Sequence, residues 1–148
     1  MNANDFLMRL SASLNLVPSD SGFPKTSGAW TEFMLKHLLE TTRTPGYDEL
    51  HMCARGLQRV TETSTLPKYH MANEFRYDIT LYTKAHWQDW SLPDVIIEHE
   101  NAWNDNAFMW DFWKLLAGYA PLRVMFGYAA DEAGVKQRVE FVQSSAKS

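Results

Sequence analysis

Hydrophobic positions change period several times along the chain, and each change predicts an element. Phe6, Leu7, Leu10 and Leu14 recur at helical spacing, which predicts a short amphipathic helix over 4–16. Ser, Gly and Pro then dominate 18–25, which reads as a connector. A second helix is predicted from Ser27 as N-cap to about Thr41, with Trp30, Phe33, Met34 and Leu38 on its apolar face. Residues 47–57 are ambiguous, but Leu50, Cys53, Ala54 and Leu57 favour helix. Residues 58–65 alternate, are rich in Thr and Val, and read as a strand.

The clearest pattern follows. Phe75, Tyr77, Ile79 and Leu81 alternate with Arg76, Asp78, Thr80 and Tyr82, the period of a half-buried strand. Residues 95–101 form a second strand, with Val95, Ile97 and His99 on one face and Ile96, Glu98 and Glu100 on the other. The long hairpin loop between them carries Trp87, Trp90 and Pro93. Asn104 or Asp105 can cap the next helix, whose broad apolar face holds Phe108, Phe112, Leu115, Leu116 and Tyr119; Gly118 and Pro121 mark its end. Residues 122–128 are apolar apart from Arg123 and read as a strand covered on both faces. Strand, helix and strand in this order make a βαβ unit with parallel outer strands. A closing helix is predicted over 135–142 and a frayed tail over 144–148. The class is α/β.

Composition places limits on this reading. A chain of 148 residues fits a single domain over 1–148, with an N-terminal helix in 1–17 and a C-terminal helix and tail in 129–148. Apolar residues at 45% and charged residues at 22% are ordinary for a soluble globular protein. The net charge of -4 argues against a surface that coats a polyanion, though not against a basic groove. Cys53 is the single cysteine, so neither an intramolecular disulfide nor a cysteine zinc site is expected, and a reducing, cytoplasmic compartment is the simplest inference. There is no secretory leader and no run long enough to span a membrane, so no membrane partner is expected. Trp113 is expected in the core. Trp87 and Trp90, in a loop, are the better candidates for contact with a partner. No Gly-rich phosphate loop or Gly-x-Ser-x-Gly elbow is present, and His51, His70 and His86 lack metal-like spacing.

The candidate chemistry lies in the acids. Glu98 and Glu100 project from one strand face together with Ile96, so the face is partly covered. Two neighbouring carboxylates there raise each other's pKa or require a cation, and a hard divalent ion with oxygen ligands removes the conflict. Antiparallel pairing would bring Asp78 beside Glu98 or Glu100, while a slip of one residue would separate them. Any one of these acids alone is as readily a solvated strand end; their convergence favours a site. Asp94, four strand residues from Glu98, lies roughly 13 Å away and cannot share its ion. His99 faces the other way and reads as a core histidine, and Asn101 reads as a helix cap.

These residues carry a resemblance. The segments Tyr77-Asp78-Ile79-Thr80-Leu81 and Val95-Ile96-Ile97-Glu98-His99-Glu100-Asn101, the helix through Lys114 and the strand over 122–128 together resemble the PD-(D/E)xK nuclease superfamily, and 31–39 resembles its first core helix. The resemblance implies a restriction-endonuclease-like αβββαβ core over 27–128, a mixed central sheet flanked by helices. It also implies hydrolysis of phosphodiesters in nucleic acid, DNA in the first instance, with Mg2+ (or Mn2+) as cofactor. Carried over, Asp78 resembles the first metal-binding acid and Glu98 the acid of the Glu-x-Lys half-motif. Glu32 could match a glutamate that some members place on the first helix, although an exposed Glu32–Lys36 pair competes with that reading. Glu100 stands where the family's lysine is usual, and could add a metal ligand. Some members carry the lysine on the following helix, where Lys114 is the candidate; the alternative is a surface lysine paired with Asp111 or solvated. The departure at Glu100 keeps a second class open: a nuclease-fold module without catalysis that binds a protein partner, or a second copy, through Trp87 and Trp90.

Overall fold

Two amphipathic helices open the chain, as their spacing predicts. The computed structural model describes residues 3–15, 26–42, 51–54, 77–83, 92–102 and 104–146. Helix α1 (Ala3–Asn15) buries Phe6 and Leu10, and α2 (Ser27–Thr42) buries Met34, Leu35, Leu38 and Thr41. The α2 cap is Thr26, one residue ahead of the expected Ser27: its hydroxyl accepts from Ala29 N at 3.3 Å and its carbonyl from Trp30 N at 3.0 Å. Trp30 and Phe33, expected on the apolar face, are half-buried and pack edge to face at 5.4 Å.

The described strands form one mixed sheet, ordered β1-β2-β3-β4. Strand β1 (His51–Ala54) corrects the helix expected over 47–57. Its four residues pair antiparallel with β2 (Ile79–Tyr82), and Met52, Cys53 and Ala54 are buried. In so short an apolar run both periods fit, and sheet pairing decides the conformation. Strand β2 is shorter than the expected 75–82, since Tyr77 and Asp78 precede it. Lying between β1 and β3, it is buried on both faces rather than one. The strand expected over 58–65 and the loop residues Trp87 and Trp90 lie outside the described residues.

Strand β3 (Val95–Glu100) pairs antiparallel with β2 and parallel with β4 (Leu122–Gly127), and helix α3 (Asp105–Ala117) makes the crossover. Asp94 holds the far end of β3: its carboxylate accepts from Thr83 N at 2.7 Å, its N–H donates to Leu81 O, and its carbonyl accepts from Leu122 N. Strand β4, expected to be covered on both faces, is instead the outer strand of the order, and Val124 is its only buried residue. An edge strand lacks a neighbour on one side, so its apolar side chains are covered only in part.

Alternation along β3 separates two layers. Val95 and Ile97 join Phe6, Leu10, Leu35, Leu38, Ile79 and Leu81 in a core shared with α1 and α2. Ile96, Glu98 and Glu100 face α3, which buries Phe108, Phe112 and Leu115. Trp113, expected in the core, is 52% exposed, because it follows Phe112 by one helical step and turns away from the sheet. Tyr119 lies beyond the helix and is exposed. Asn104, not Asn101, caps α3 by accepting from Ala107 N at 2.8 Å. Helix α4 (Glu132–Ser145), capped by Asp131, is longer than the expected 135–142 and takes up the start of the predicted tail. It packs Phe141 against Phe112. No helix among the described residues is long and apolar enough to cross a membrane.

Gly118 ends α3 in an extended conformation, with φ of -76° and ψ of 146°, so backbone freedom is not why glycine stands there. A Cβ at this position would run into Ile96 Cδ1 and the Tyr77 hydroxyl. Glycine therefore lets α3 approach β3 closely. Gly118→Ala is expected to lower unfolding free energy by about 1–3 kcal/mol in urea titration, through overpacking against Ile96.

Candidate metal centre

The β2–β3 register pairs Ile79 with Ile97 and Thr80 with Ile96. Continued by one residue, it sets Asp78 across from Glu98. The backbone N–H of His99 donates to Asp78 Oδ2 at 2.9 Å, which fixes that carboxylate at the end of the sheet. Asp111 comes down from α3 onto the same point. Oxygens of Asp78, Glu98 and Asp111 all lie within 4.8 Å of one another.

Lys114 lies one helical turn beyond Asp111. Its Nζ is 2.7 Å from Asp111 Oδ1 and 2.9 Å from Glu98 Oε1. The second contact has ion-pair distance without hydrogen-bond alignment, so neither oxygen of Glu98 accepts a well-directed hydrogen bond, although the side chain is 0% exposed. A buried carboxylate with two unsatisfied oxygens is costly unless a cation supplies what is missing.

The surroundings act on each group's proton affinity. Burial pushes Glu98 up to about 8 from the usual 4.5; contact with Lys114 opposes the rise, and the charges of Asp78 and Asp111 add to it. Burial alone would lower Lys114, but its bonds to Asp111 and Glu98 outweigh that and raise it, so it stays an ammonium. Glu100 is also raised, first by burial; the Ala102 N–H on its Oε1 at 2.5 Å opposes this, and contact with Asp111 adds to it. Burial lowers His99, with the charge of Asp78 in opposition.

The donor set fits a hard divalent ion. With Glu98 ionised, three carboxylates and one ammonium leave two negative charges, which one such ion would neutralise as it displaces the Glu98 proton. Oxygens on opposite sides of an octahedral Mg2+ are about 4.2 Å apart, close to the spread found here.

A cleft of about 500 Å³ opens beside the cluster, between α2 and the C-terminal end of β3, and its walls include Glu32, Asp78, His99, Glu100, Asn101 and Asp111. The structure thus brings together Asp78, Glu98 and Lys114 of the residues singled out in the sequence. Glu100 lies beside Asp111, outside the trio of closest oxygens, and Glu32 is exposed on the α2 side of the cleft. Asn101 donates from Nδ2 to Thr31 Oγ1 at 3.3 Å, tying the end of β3 to α2. Asp111 is the member that sequence reasoning missed. It entered only as a surface partner for Lys114, yet that same spacing of three residues puts both on the helix face that meets Glu98. Compared with protein-family models, curated proteins and solved structures, the chain matches none.

Proposed function

We propose that this protein is a divalent-metal-dependent nuclease that hydrolyses phosphodiester bonds of nucleic acid, DNA in the first instance, on a restriction-endonuclease-like core of the PD-(D/E)xK kind. From α2 onward the described elements run α, three strands, α, strand, which supports the reading, as does the placement of one acid before β2 and one on β3. The observation that carries it is Glu98, wholly buried, with both oxygens lacking aligned donors, and facing Asp78 and Asp111. Asp78, Glu98 and Asp111 would hold Mg2+ (or Mn2+). The ion would supply an activated water and neutralise charge on the phosphate.

The chain's own groups have separable tasks. The His99 N–H keeps Asp78 in place, and Asp111 keeps Lys114 extended toward Glu98. Lys114 would serve in place of the usual strand lysine, since Glu100 occupies that sequence position. From α3 its ammonium offsets negative charge developing at the site. A cytoplasmic setting agrees with the free, buried Cys53.

The test is incubation of the purified protein with DNA, and separately RNA, in Mg2+, Mn2+ or EDTA. Metal-dependent cleavage of DNA that Lys114→Ala reduces by about 100-fold or more supports the assignment. One observation favours the second reading, a nuclease-fold module without catalysis: Lys114 is already engaged by two carboxylates. No cleavage of either nucleic acid, together with no binding of Mg2+ or Mn2+, would select it, and a protein partner or second copy at Trp87 and Trp90 would then be sought.

A further inference from the structure

His99 lines the cleft, yet the metal chemistry gives its side chain no task. The residue is only 8% exposed, and its side chain lies across β3 from Glu98, on the side of α2. Nε2 is 2.6 Å from Tyr128 Oη, with the two ring planes at 85°. Tyr128 is itself held on several sides. The Trp30 ring lies 5.3 Å away, and the Tyr128 carbonyl accepts from Arg138, which also reaches Asp105 at 3.1 Å.

This arrangement points to one imidazole tautomer. Burial pushes the Tyr128 phenol up to about 12, so it keeps its proton. The hydroxyl has no other acceptor among the described residues, which leaves Nε2 as the one to take its hydrogen. A neutral ring that accepts at Nε2 carries its hydrogen on Nδ1. Nδ1 has no partner among the described residues, and it is not among the sealed, unsatisfied buried atoms. Its N–H is therefore open to the cleft. The Asn101 amide on this wall is bonded to the Thr31 hydroxyl, while Glu32, Asp78, Glu100 and Asp111 repel an anion.

We propose that His99 Nδ1–H is a substrate-binding donor for a non-bridging oxygen of the phosphodiester, with Tyr128 as the positioning residue that sets the tautomer. The assignment rests on the metal-dependent phosphodiester reading. An uncharged N–H suits this place, because it gives the phosphate a hydrogen bond without itself pairing to the neighbouring acids.

The experiment has two parts on the intact chain. Long-range 15N NMR of histidine-labelled protein reads the tautomer directly, and Nδ1–H is expected at His99. Fluorescence anisotropy then measures affinity for a short fluorescein-labelled DNA duplex in Ca2+, with Ca2+ binding measured in parallel. His99→Phe is expected to weaken duplex binding about tenfold and leave Ca2+ binding unchanged. Tyr128→Phe should weaken it less and mix the tautomers. His99→Asn, whose amide can take the place of Nδ1–H, should retain binding within about threefold, which a merely structural role would not explain. An Nε2–H tautomer, unchanged duplex affinity in His99→Phe, or Ca2+ binding by the wild type without duplex binding overturns the proposal. Absence of any Ca2+ binding by the wild type would overturn the underlying metal reading as well.

Discussion

Asp78→Asn is expected to abolish metal-dependent cleavage, with a loss of about a thousandfold or more, while leaving the fold intact. Asp78 is half-buried, precedes β2, and accepts one backbone N–H from His99. An asparagine that turns its amide oxygen toward His99 keeps that bond and little else changes in the packing. What disappears is one anionic ligand of the cluster formed with Glu98 and Asp111. Affinity for a hard cation falls steeply with each lost carboxylate, and a reaction that depends on the ion falls with it. Circular dichroism and urea unfolding should match the wild type. Retained cleavage by the variant, in a preparation free of contaminating nuclease, would contradict the assignment of this residue.

The second large effect concerns Lys114 and pH. Glu98 binds its proton more tightly in the folded protein, with a pKa near 8, than in an unfolded chain, where about 4.5 is usual. That contribution to stability is fully present below the unfolded value and is lost as pH rises through the folded one. Metal-free protein should therefore lose stability between about pH 4.5 and pH 8, by an amount on the order of 4 kcal/mol, and Glu98→Gln should flatten the slope. Lys114→Met removes the cation at 2.9 Å that opposes the rise. At pH 6 the Glu98 carboxyl is neutral, so the variant loses only the lysine's contact with Asp111 and its stability should fall little. At pH 9 the carboxyl must either ionise without a partner or stay protonated, and the variant should be less stable by about 2–3 kcal/mol, discounted for the partial exposure of the lysine. Denaturant titrations in EDTA at the two pH values read this difference, and equal losses at both would count against the Glu98–Lys114 contact.

Much of this site was legible in the chain because strands with covered faces tolerate no slip of register. The alternation around Ile79 and Leu81, and again around Ile96 and Ile97, sets which side chains share a face. Antiparallel pairing then leaves Asp78 opposite Glu98. The third acid was not legible in the same way. Asp111 reaches the cluster only through the rotation and close approach of α3, which depend on Gly118 fitting against Ile96 and Tyr77. Strand β1 was misread as helix because four residues cannot distinguish the two periods without knowledge of the partner strand. Apart from Arg123, the apolar sequence of β4 suggests cover on both faces, but its place at the end of the sheet order leaves Leu122, Met125 and Phe126 only partly covered. His99 was read as a core histidine. Its burial agrees with that, while the openness of Nδ1 depends on Tyr128, 29 residues away in sequence, which no local pattern reports.

Calorimetric titration of Mn2+ into the wild type and Asp78→Asn at pH 7, repeated in two buffers of different ionisation enthalpy, tests the central claim most directly. The account predicts that about one Mn2+ binds the wild type, that about one proton is released as Glu98 ionises, and that both signals vanish in the variant. Absence of Mn2+ binding by the wild type, or equal binding by both proteins, would contradict it.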